Sequence, residues 1–246
     1  MNTYKEVVER VASSDGLVTD VDGVRHPVVP RPKLPIDFLS YSASSIKDGN
    51  LHAPIIYLSL WMSKNGSRRK ISSLEHSLYS AVIKNSREEE FTSAGEEFSK
   101  NRVIEGYMDL VNVIKKNSKP VIACSRNPAA KYILKEATDF VTNDIIFENG
   151  VFKKANVKII TGEDKKIYVN EYIKERYGSS LKRFTYLGDA CTDIPPGLEA
   201  DIFLLSPHSS KKVRERVGMK GFVIPSYKQF ARDLNKEMKK LKPLQA

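Results

Sequence analysis

The chain is organised around Leu17-Val18-Thr19-Asp20-Val21-Asp22-Gly23-Val24. Its apolar run predicts a short buried strand that ends in two carboxylates at alternate positions. Alternate side chains of an extended segment point the same way, so both acids face one site, and Gly23 permits a sharp turn there. Two ionised carboxylates this close repel each other unless one is protonated or a cation intervenes. The pair suits a nucleophile beside a proton donor, although a solvated turn at a strand end explains this motif equally well by itself.

The composition indicates a globular protein with one core, or with a core and a smaller inserted domain: 246 residues, 41% hydrophobic and 28% charged. No apolar run approaches the roughly 18 residues that span a bilayer, and residues 1–14 are too polar for a secretory signal. We therefore expect a cytoplasmic protein without a membrane partner.

Cys124 and Cys191 lack the neighbours of a zinc or redox motif, so we expect free, buried thiols.

The net charge of +10 is concentrated near the end of the chain, where residues 211–246 contain 11 basic and 3 acidic residues. Such a segment can attract nucleic acid or an acidic membrane surface. No basic repeat interleaved with aromatic residues accompanies it, so a solvated, lysine-rich face is the favoured interpretation and nucleic acid is not an expected partner.

Four prolines between residues 25 and 35 predict an extended connector and a domain boundary. Beyond it, the apolar run over residues 55–62 predicts a buried helix, with a strand as the alternative. Ser72 and Glu75 fit a capping box at the start of another helix. The sequence thus predicts a mostly helical insert over residues 36–101, within an α/β core formed by residues 1–35 and 102–246.

Short apolar runs alternate with helical patterns through the predicted core. The predicted strands cover residues 17–20, 120–123, 140–147, 151–160, 184–187, 202–205 and 221–224, and the predicted helices include 103–116 and 165–177. Glu148-Asn149-Gly150 is typical of a hairpin turn. The alternation predicts a Rossmann-like parallel sheet flanked by helices, with a ligand site at the carboxyl ends of its strands. Asp20, Ser125 and Asp189 each follow such a strand.

Four motifs together carry a family resemblance: Asp20-Val21-Asp22-Gly23, the strand that ends at Ser125, a lysine at the head of a helix, and Gly188-Asp189 with Asp193. In this order they resemble the haloacid dehalogenase (HAD) superfamily of phosphohydrolases, over about residues 17–224. The insert occupies the place of that family's helical cap. The helical insert and the hairpin at Gly150 are most similar to the phosphoserine-phosphatase-type branch.

The resemblance implies a role for each acidic residue. Asp20 would attack phosphorus and carry an aspartyl-phosphate, and Asp22 would exchange protons with the leaving group and with water. Asp20, Asp189 and the backbone carbonyl of Asp22 would bind Mg²⁺ through hard oxygen ligands. Asp193 would orient groups around the ion or contact it through water, and a helix-capping role explains that residue equally well.

The resemblance also implies a phosphate-binding set. Ser125, helped by the N–H groups of the residues that follow it, beginning with Arg126, would bind a phosphoryl oxygen, and Asn127 would cap the next helix. Lys165 and Lys166 compete for the cationic role, and the family's spacing favours Lys166. Four other basic side chains could reach the substrate, but a surface position is the favoured interpretation for each: Arg25, His26, Arg68 and Arg69.

The function predicted from this pattern is Mg²⁺-dependent hydrolysis of a small phosphomonoester. Dehalogenation is disfavoured because displacement of a halide needs neither the metal cluster nor an acid at Asp22. The alternative from another class is a non-catalytic protein of the same fold that holds an acidic partner through the basic segment at residues 211–246. The sequence leaves the substrate and the oligomeric state open.

Overall fold

The computed structural model describes residues 3–26, 84, 86–101, 103–128 and 130–241. Its eight strands are β1 (Gly16–Thr19), β2 (Val121–Ser125), β3 (Asp139–Thr142), β4 (Asp144–Glu148), β5 (Val151–Asn156), β6 (Phe184–Gly188), β7 (Ile202–Leu205) and β8 (Gly221–Val223). Its eight α-helices are α1 (Tyr4–Ser13), α2 (Glu88–Asn101), α3 (Tyr107–Lys116), α4 (Ala130–Ile133), α5 (Gly162–Arg176), α6 (Ile194–Glu199), α7 (Lys211–Val217) and α8 (Tyr227–Leu241). None of these helices is long and apolar enough to cross a bilayer.

Six of these strands form one parallel sheet in the order β3-β2-β1-β6-β7-β8. The central strand, β1, is buried along its whole length and pairs with β2 on one side and β6 on the other. Strands β4 and β5 form a separate antiparallel hairpin. The predicted α/β class with a Rossmann-like parallel sheet is therefore confirmed.

Alternate strand residues supply two apolar layers, one on each face of the sheet. Leu17 of β1 belongs to the layer that includes the buried sides of α1, α3 and α8, whereas Val18 belongs to the layer covered by α5 and α7. Helix α8 shows how a helix covers the sheet with one apolar side. It buries Tyr227, Phe230 and Leu234 at helical spacing and leaves its lysines exposed. Both faces of the sheet are covered, as buried parallel strands require.

Several element boundaries differ from prediction, among them the end of β5, which is Asn156 and not residue 160. The helix predicted from residue 103 begins at Tyr107, because Gly106 before it takes a left-handed conformation (φ 80°). The helix predicted to open at residue 165 begins at Gly162, where Thr161 and Asp164 form a capping box. The strand predicted over residues 140–147 is two strands, because buried Asn143 redirects the chain from β3 into the hairpin.

The two insert helices predicted over residues 55–62 and from Ser72 lie outside the described residues. Helix α2, the described part of the predicted insert, packs on the core through fully buried Phe91, whose ring contacts Tyr132 and Phe147. The extent of the insert, residues 36–101, stays a prediction.

Candidate active site

The site lies where the strand order of the sheet reverses. The chain leaves β1 towards β2 and β3 on one side, and later returns to β6 on the other side of β1. Crevices at such a reversal, outside the carboxyl ends of the strands, are the usual ligand sites of open α/β sheets. Asp20 follows β1 and Asp189 follows β6, and the Asp20 N–H donates to the Leu187 carbonyl oxygen at 2.8 Å. The topology alone therefore brings these two aspartates together.

Three carboxylates converge at this point: Asp20, Asp189 and Asp193 each place an oxygen within 4.8 Å of the others. Asp20 and Asp193 are buried, with 6% and 0% of their surfaces exposed. The predicted convergence of Asp20 with Asp189 is present in the structure.

Lys165 supplies the positive charge of the cluster. Its Nζ lies 3.0 Å from Asp20 Oδ1 and 2.7 Å from Asp193 Oδ1, and its side chain is 1% exposed. Lys166, which the sequence analysis favoured, instead pairs with Glu199 on the outer side of α5, with 3.0 Å between Nζ and Oε1. The preference for Lys166 was wrong because consecutive helical residues point about 100° apart, and the capped start of α5 turns Lys165 inward.

Asp193 accepts four hydrogen bonds. Its Oδ1 accepts from Lys165 Nζ and, at 3.0 Å, from the Tyr186 hydroxyl, and its Oδ2 accepts from the N–H groups of Asp189 and Ala190. Asp193 thus holds both the lysine and the loop that carries Asp189, and its predicted role around a metal ion stays a prediction. Tyr186 was missed because a tyrosine within an apolar strand gives no signal of its hydroxyl's partner.

The local electrostatics favour an added cation. Burial, the Asp193 charge and the Asp22 charge raise the pKa of Asp20 to about 7 against the opposing effect of Lys165. Burial, Asp193 and Asp20 likewise raise the pKa of Asp189 well above its usual range. For Asp193, burial acts upward, but the Lys165 ammonium and the hydrogen bonds outweigh it and lower the pKa. Lys165 balances only part of the negative charge.

The residues present fit a hard divalent cation such as Mg²⁺. Asp189 Oδ1 is buried and has no hydrogen-bond partner among the described residues, and Asp189 is one of the three acids of the cluster. Carboxylate oxygens are the ligands that Mg²⁺ prefers. Asp189 has an oxygen available for this purpose and Asp20 lies beside it, whereas both oxygens of Asp193 are already engaged. The predicted contribution of the Asp22 backbone carbonyl stays a prediction.

Gly23 makes the convergence possible. It adopts φ 79°, and a Cβ at this position would lie 2.1 Å from Asp189 Oδ2. The Asp189 carboxylate therefore packs directly against the turn between Asp22 and Val24. Only glycine satisfies both the left-handed backbone and the close approach.

The predicted phosphate-binding segment follows β2. Ser125 is buried, and its Oγ accepts a hydrogen bond from the Asn127 N–H at 3.1 Å, while Asn127 Nδ2 donates to Asp22 Oδ2 at 3.2 Å. The Arg126 guanidinium lies 3.4 Å from the Ile160 carbonyl oxygen. A helix follows this segment, but α4 spans only four residues, so little helix dipole acts there. The phosphate-binding roles of Ser125 and Arg126 stay predictions.

Two residues expected at the surface are buried. Arg25 and His26 are 1% and 2% exposed. The Arg25 guanidinium binds Ser99 Oγ of α2 at 2.7 Å and Glu136 Oε1 at 2.8 Å, and its other Nη lies 2.5 Å from His26 Nε2. Burial and the Arg25 charge lower the pKa of His26 to about 2, so its imidazole is neutral. Arg68 and Arg69, the other two, lie outside the described residues.

The two cysteines are free. Cys124 is buried as predicted, and burial raises the pKa of its thiol to about 12. Cys191 is only half-buried, and its Sγ accepts a hydrogen bond from Arg216 Nη1 at 3.4 Å.

Comparison with solved structures identifies the fold. A substrate-bound phosphoserine phosphatase aligns with a TM-score of 0.62 at 12% identity, over 91% of this chain and 98% of its own. Cytosolic 5'-nucleotidase IIIB bound to cytidine aligns with a TM-score of 0.69 at 12% identity, over 98% and 90%. A phospho-aspartyl intermediate analogue of phosphoserine phosphatase aligns with a TM-score of 0.56 at 11% identity, over 85% and 92%.

The chain has the fold of the HAD phosphatases. No family model and no curated protein sequence matches it. At these identities the HAD likeness concerns the fold, and the chemistry has to be argued from the site itself.

Proposed function

We propose that the protein is a Mg²⁺-dependent phosphomonoesterase that acts through an aspartyl-phosphate on Asp20. The observation that carries the proposal is the ion-paired Asp20 carboxylate, 3.0 Å from Lys165 Nζ and next to Asp189, at the switch point of a HAD fold. A carboxylate needs no deprotonation to act as a nucleophile once it is ionised.

The first half-reaction transfers the phosphoryl group to Asp20. One Asp20 oxygen forms a bond to phosphorus, the bond from phosphorus to the substrate oxygen breaks, and Asp22 gives its proton to that oxygen. In the second half-reaction Asp22 takes a proton from water as the water oxygen bonds to phosphorus. The bond from phosphorus to the Asp20 oxygen then breaks, which regenerates the Asp20 carboxylate and releases inorganic phosphate. Lys165 stays charged throughout and stabilises the negative charge on Asp20 and on the transferring group.

Asp20 and Asp189, with the backbone carbonyl of Asp22, would hold the Mg²⁺ ion. When bound, the ion offsets the negative charge of the acids and of the phosphoryl oxygens. Ser125 would contribute its hydroxyl to a phosphoryl oxygen, and Asp193 would keep Lys165 and the loop at Asp189 in position.

The substrate class that we propose is a small phosphorylated metabolite. The structural neighbours include a phosphoserine phosphatase and a 5'-nucleotidase, so amino-acid phosphates and nucleoside monophosphates are the two classes to test first. A panel of phosphoserine, cytidine monophosphate, sugar phosphates and amino-alcohol phosphates would rank them by kcat/KM. We further propose a cytoplasmic location, as expected from the free thiols.

Two alternatives receive less support from the site. A dehalogenase needs no cluster of Asp20 with Asp189 and Asp193, and a non-catalytic binding protein has no use for three acids beside a phosphate site. Three basic residues of α8 pair with acids of their own helix: Arg232 and Lys236 with Asp233, and Lys240 with Glu237.

The test is hydrolysis of p-nitrophenyl phosphate with Mg²⁺ and with EDTA. We expect turnover with Mg²⁺ only, and its loss in Asp20→Asn. Asp201→Asn is the matched control, because Asp201 forms a half-exposed pair with Arg10 away from the site and its loss leaves turnover unchanged. Equal turnover in wild type and Asp20→Asn would rule out Asp20 as the nucleophile.

A further inference from the structure

Asn127 lies between two groups of the proposed reaction and contacts both. It is 8% exposed, its backbone N–H donates to Ser125 Oγ, and its side-chain amide donates to Asp22 Oδ2. The two contacts use different parts of the residue. Substitution of the side chain therefore removes the contact with Asp22 and leaves the backbone contact with Ser125.

The side-chain contact determines which oxygen of Asp22 can carry a proton. The amide nitrogen of Asn127 can only donate a hydrogen bond, and it donates to Oδ2 at 3.2 Å. A proton on Oδ2 would weaken that oxygen as an acceptor. The proton of the neutral acid is therefore favoured on Oδ1, and the carboxyl plane is fixed by the hydrogen bond.

The backbone contact of Asn127 orients the hydroxyl group of Ser125. Because Ser125 Oγ already accepts the Asn127 N–H at 3.1 Å, the hydroxyl hydrogen of Ser125 is left to donate. A donor in this position suits a phosphoryl oxygen. Asn127 thus belongs to a turn that sets both the phosphate-binding hydroxyl and the acid.

We propose that Asn127 is a positioning residue that orients Asp22 for proton transfer to the leaving oxygen. This inference rests on the proposed phosphomonoesterase function. In the step concerned, the bond from phosphorus to the leaving oxygen breaks, the bond from Asp20 to phosphorus forms, and the Asp22 Oδ1 proton moves to the leaving oxygen. The products are the alcohol, the Asp20 aspartyl-phosphate and ionised Asp22.

The test is the dependence of kcat/KM on the leaving group in wild type and Asn127→Ala. A good leaving group such as p-nitrophenolate needs little help from an acid, whereas phenolate and alkoxides need much more. We expect Asn127→Ala to lose no more than about threefold on p-nitrophenyl phosphate, but about 10- to 100-fold on phenyl phosphate and glycerol 2-phosphate. An equal loss on all three substrates would overturn the proposal, because a distorted turn would impair every substrate alike.

A double-mutant cycle separates positioning from general damage. With Asp22→Asn as background there is no acid to orient, so adding Asn127→Ala should leave the leaving-group dependence unchanged. A further selective loss in that background would overturn the proposal. Asn127→Ser, which keeps a small polar side chain in the turn, replaces Asn127→Ala if the alanine variant fails to fold, with the same selective loss expected.

Asn117→Ala is the matched control for loss of a half-buried asparagine. Asn117 Nδ2 donates to the Val113 carbonyl oxygen at the end of α3, away from the site, and its substitution should leave all three rates unchanged. Failure of the proposed function is distinguishable, because the wild-type protein would then hydrolyse none of the three esters. A wild type that turns over all three, with a uniform loss in Asn127→Ala, contradicts the positioning role alone.

Discussion

Lys165 and Lys166 are neighbours with opposite surroundings. Lys165 lies between Asp20 and Asp193 with 1% of its side chain exposed, whereas Lys166 is one-third exposed and pairs with Glu199. Burial alone would lower the pKa of Lys165, but the two aspartates outweigh that effect and raise it, so this lysine is charged at neutral pH. Its charge is therefore available to the reacting phosphoryl group.

We predict that Lys165→Met lowers kcat/KM for p-nitrophenyl phosphate by at least about 100-fold, because it removes the cation nearest the transferring charge. It should also lower Tm, because Asp20 and Asp193 lose their buried counter-charge. Lys166→Met is the matched control and should change neither quantity measurably. A larger loss of activity in Lys166→Met than in Lys165→Met would contradict this assignment.

Gly23 and Gly150 both have left-handed backbones, with φ 79° and 73°, but only Gly23 faces another residue closely. We predict that Gly150→Ala costs about 1 kcal/mol of unfolding free energy from backbone strain alone. Gly23→Ala should cost more and should raise the Mg²⁺ concentration for half-maximal activity about tenfold, because its Cβ displaces the Asp189 carboxylate. Urea unfolding and Mg²⁺ titration measure both effects. Equal costs, with unchanged Mg²⁺ dependence, would show that Asp189 does not depend on this contact.

Among single residues, the sequence predicts the positions of those that lie in a motif at the end of a strand. It does not predict which side chains a helix turns inward, or which polar groups become buried. Asp20 and Asp189 were predictable because parallel strands end at one edge. The sequence could not show which of Lys165 and Lys166 faces the acidic cluster. Moving the start of the helix by one residue would turn the other lysine inward. The side chains of Tyr186 and Asn127 each donate a hydrogen bond to an aspartate of the site, and no local pattern encodes those contacts.

Between elements, Arg25 connects the loop after β1 to α2 and to the segment between α4 and β3. Its guanidinium binds Ser99 and Glu136, and its backbone carbonyl accepts from the Ile104 N–H at 2.8 Å. These contacts hold the loop that carries Asp20 and Asp22 against the described part of the predicted insert. A buried arginine with several such partners is costly to remove.

We predict that Arg25→Met lowers the free energy of unfolding by about 3 kcal/mol, because Glu136 loses its ion-pair partner in a site where only 21% of its side chain is exposed. Arg87→Met is the control: Arg87 pairs with Glu89 on an exposed surface and should cost no more than about 0.5 kcal/mol. Both are measured by urea unfolding. Equal, small costs for the two variants would mean that the Arg25 network contributes little to the attachment of α2.

Elements with strong local signals were predictable, and those decided by tertiary contacts were not. Strand β7 lies where its apolar run predicts it, at Ile202–Leu205. The division of residues 139–148 between the sheet and the hairpin depends on Asn143, whose side chain accepts from the N–H groups of Lys158 and Ile159 and donates to the Arg126 carbonyl. Those partners lie some 15 residues away, beyond any local pattern.

Across the whole molecule, the acidic cluster couples stability to pH and to Mg²⁺. The pKa of Asp20 rises from an ordinary 3.8 to about 7 in the folded protein without metal. Between these values the folded state keeps a proton that the unfolded chain has lost, so stability falls as pH rises through the window and stays low above it. Asp189 shifts in the same direction.

We therefore predict that Mg²⁺ raises Tm more at about pH 8 than at about pH 5, because at the higher pH it binds ionised acids and at the lower pH it has to displace protons. Thermal melts with Mg²⁺ and with EDTA at both values measure the difference. Asp189→Asn, which removes one proposed ligand, should reduce the Mg²⁺ effect at both pH values. An equal Tm increase at the two pH values in wild type would contradict the linkage.

The arrangement of the whole sheet was predictable because each buried strand, followed by a helical pattern, leaves few alternatives to a parallel, doubly wound order. What the pattern could not give is the place of the reversal between β1 and β6, which the structure supplies and which brings Asp20 to Asp189.

The proposed mechanism requires that Asp20 carry the phosphoryl group during turnover. The most direct measurement is to quench the enzyme in acid during turnover of p-nitrophenyl phosphate with Mg²⁺, reduce it with borohydride, and map the digest by mass spectrometry. Reduction converts an aspartyl-phosphate to homoserine. We predict homoserine at position 20 and nowhere else. Steady release of phosphate without conversion of Asp20, or with conversion of another aspartate, would contradict it.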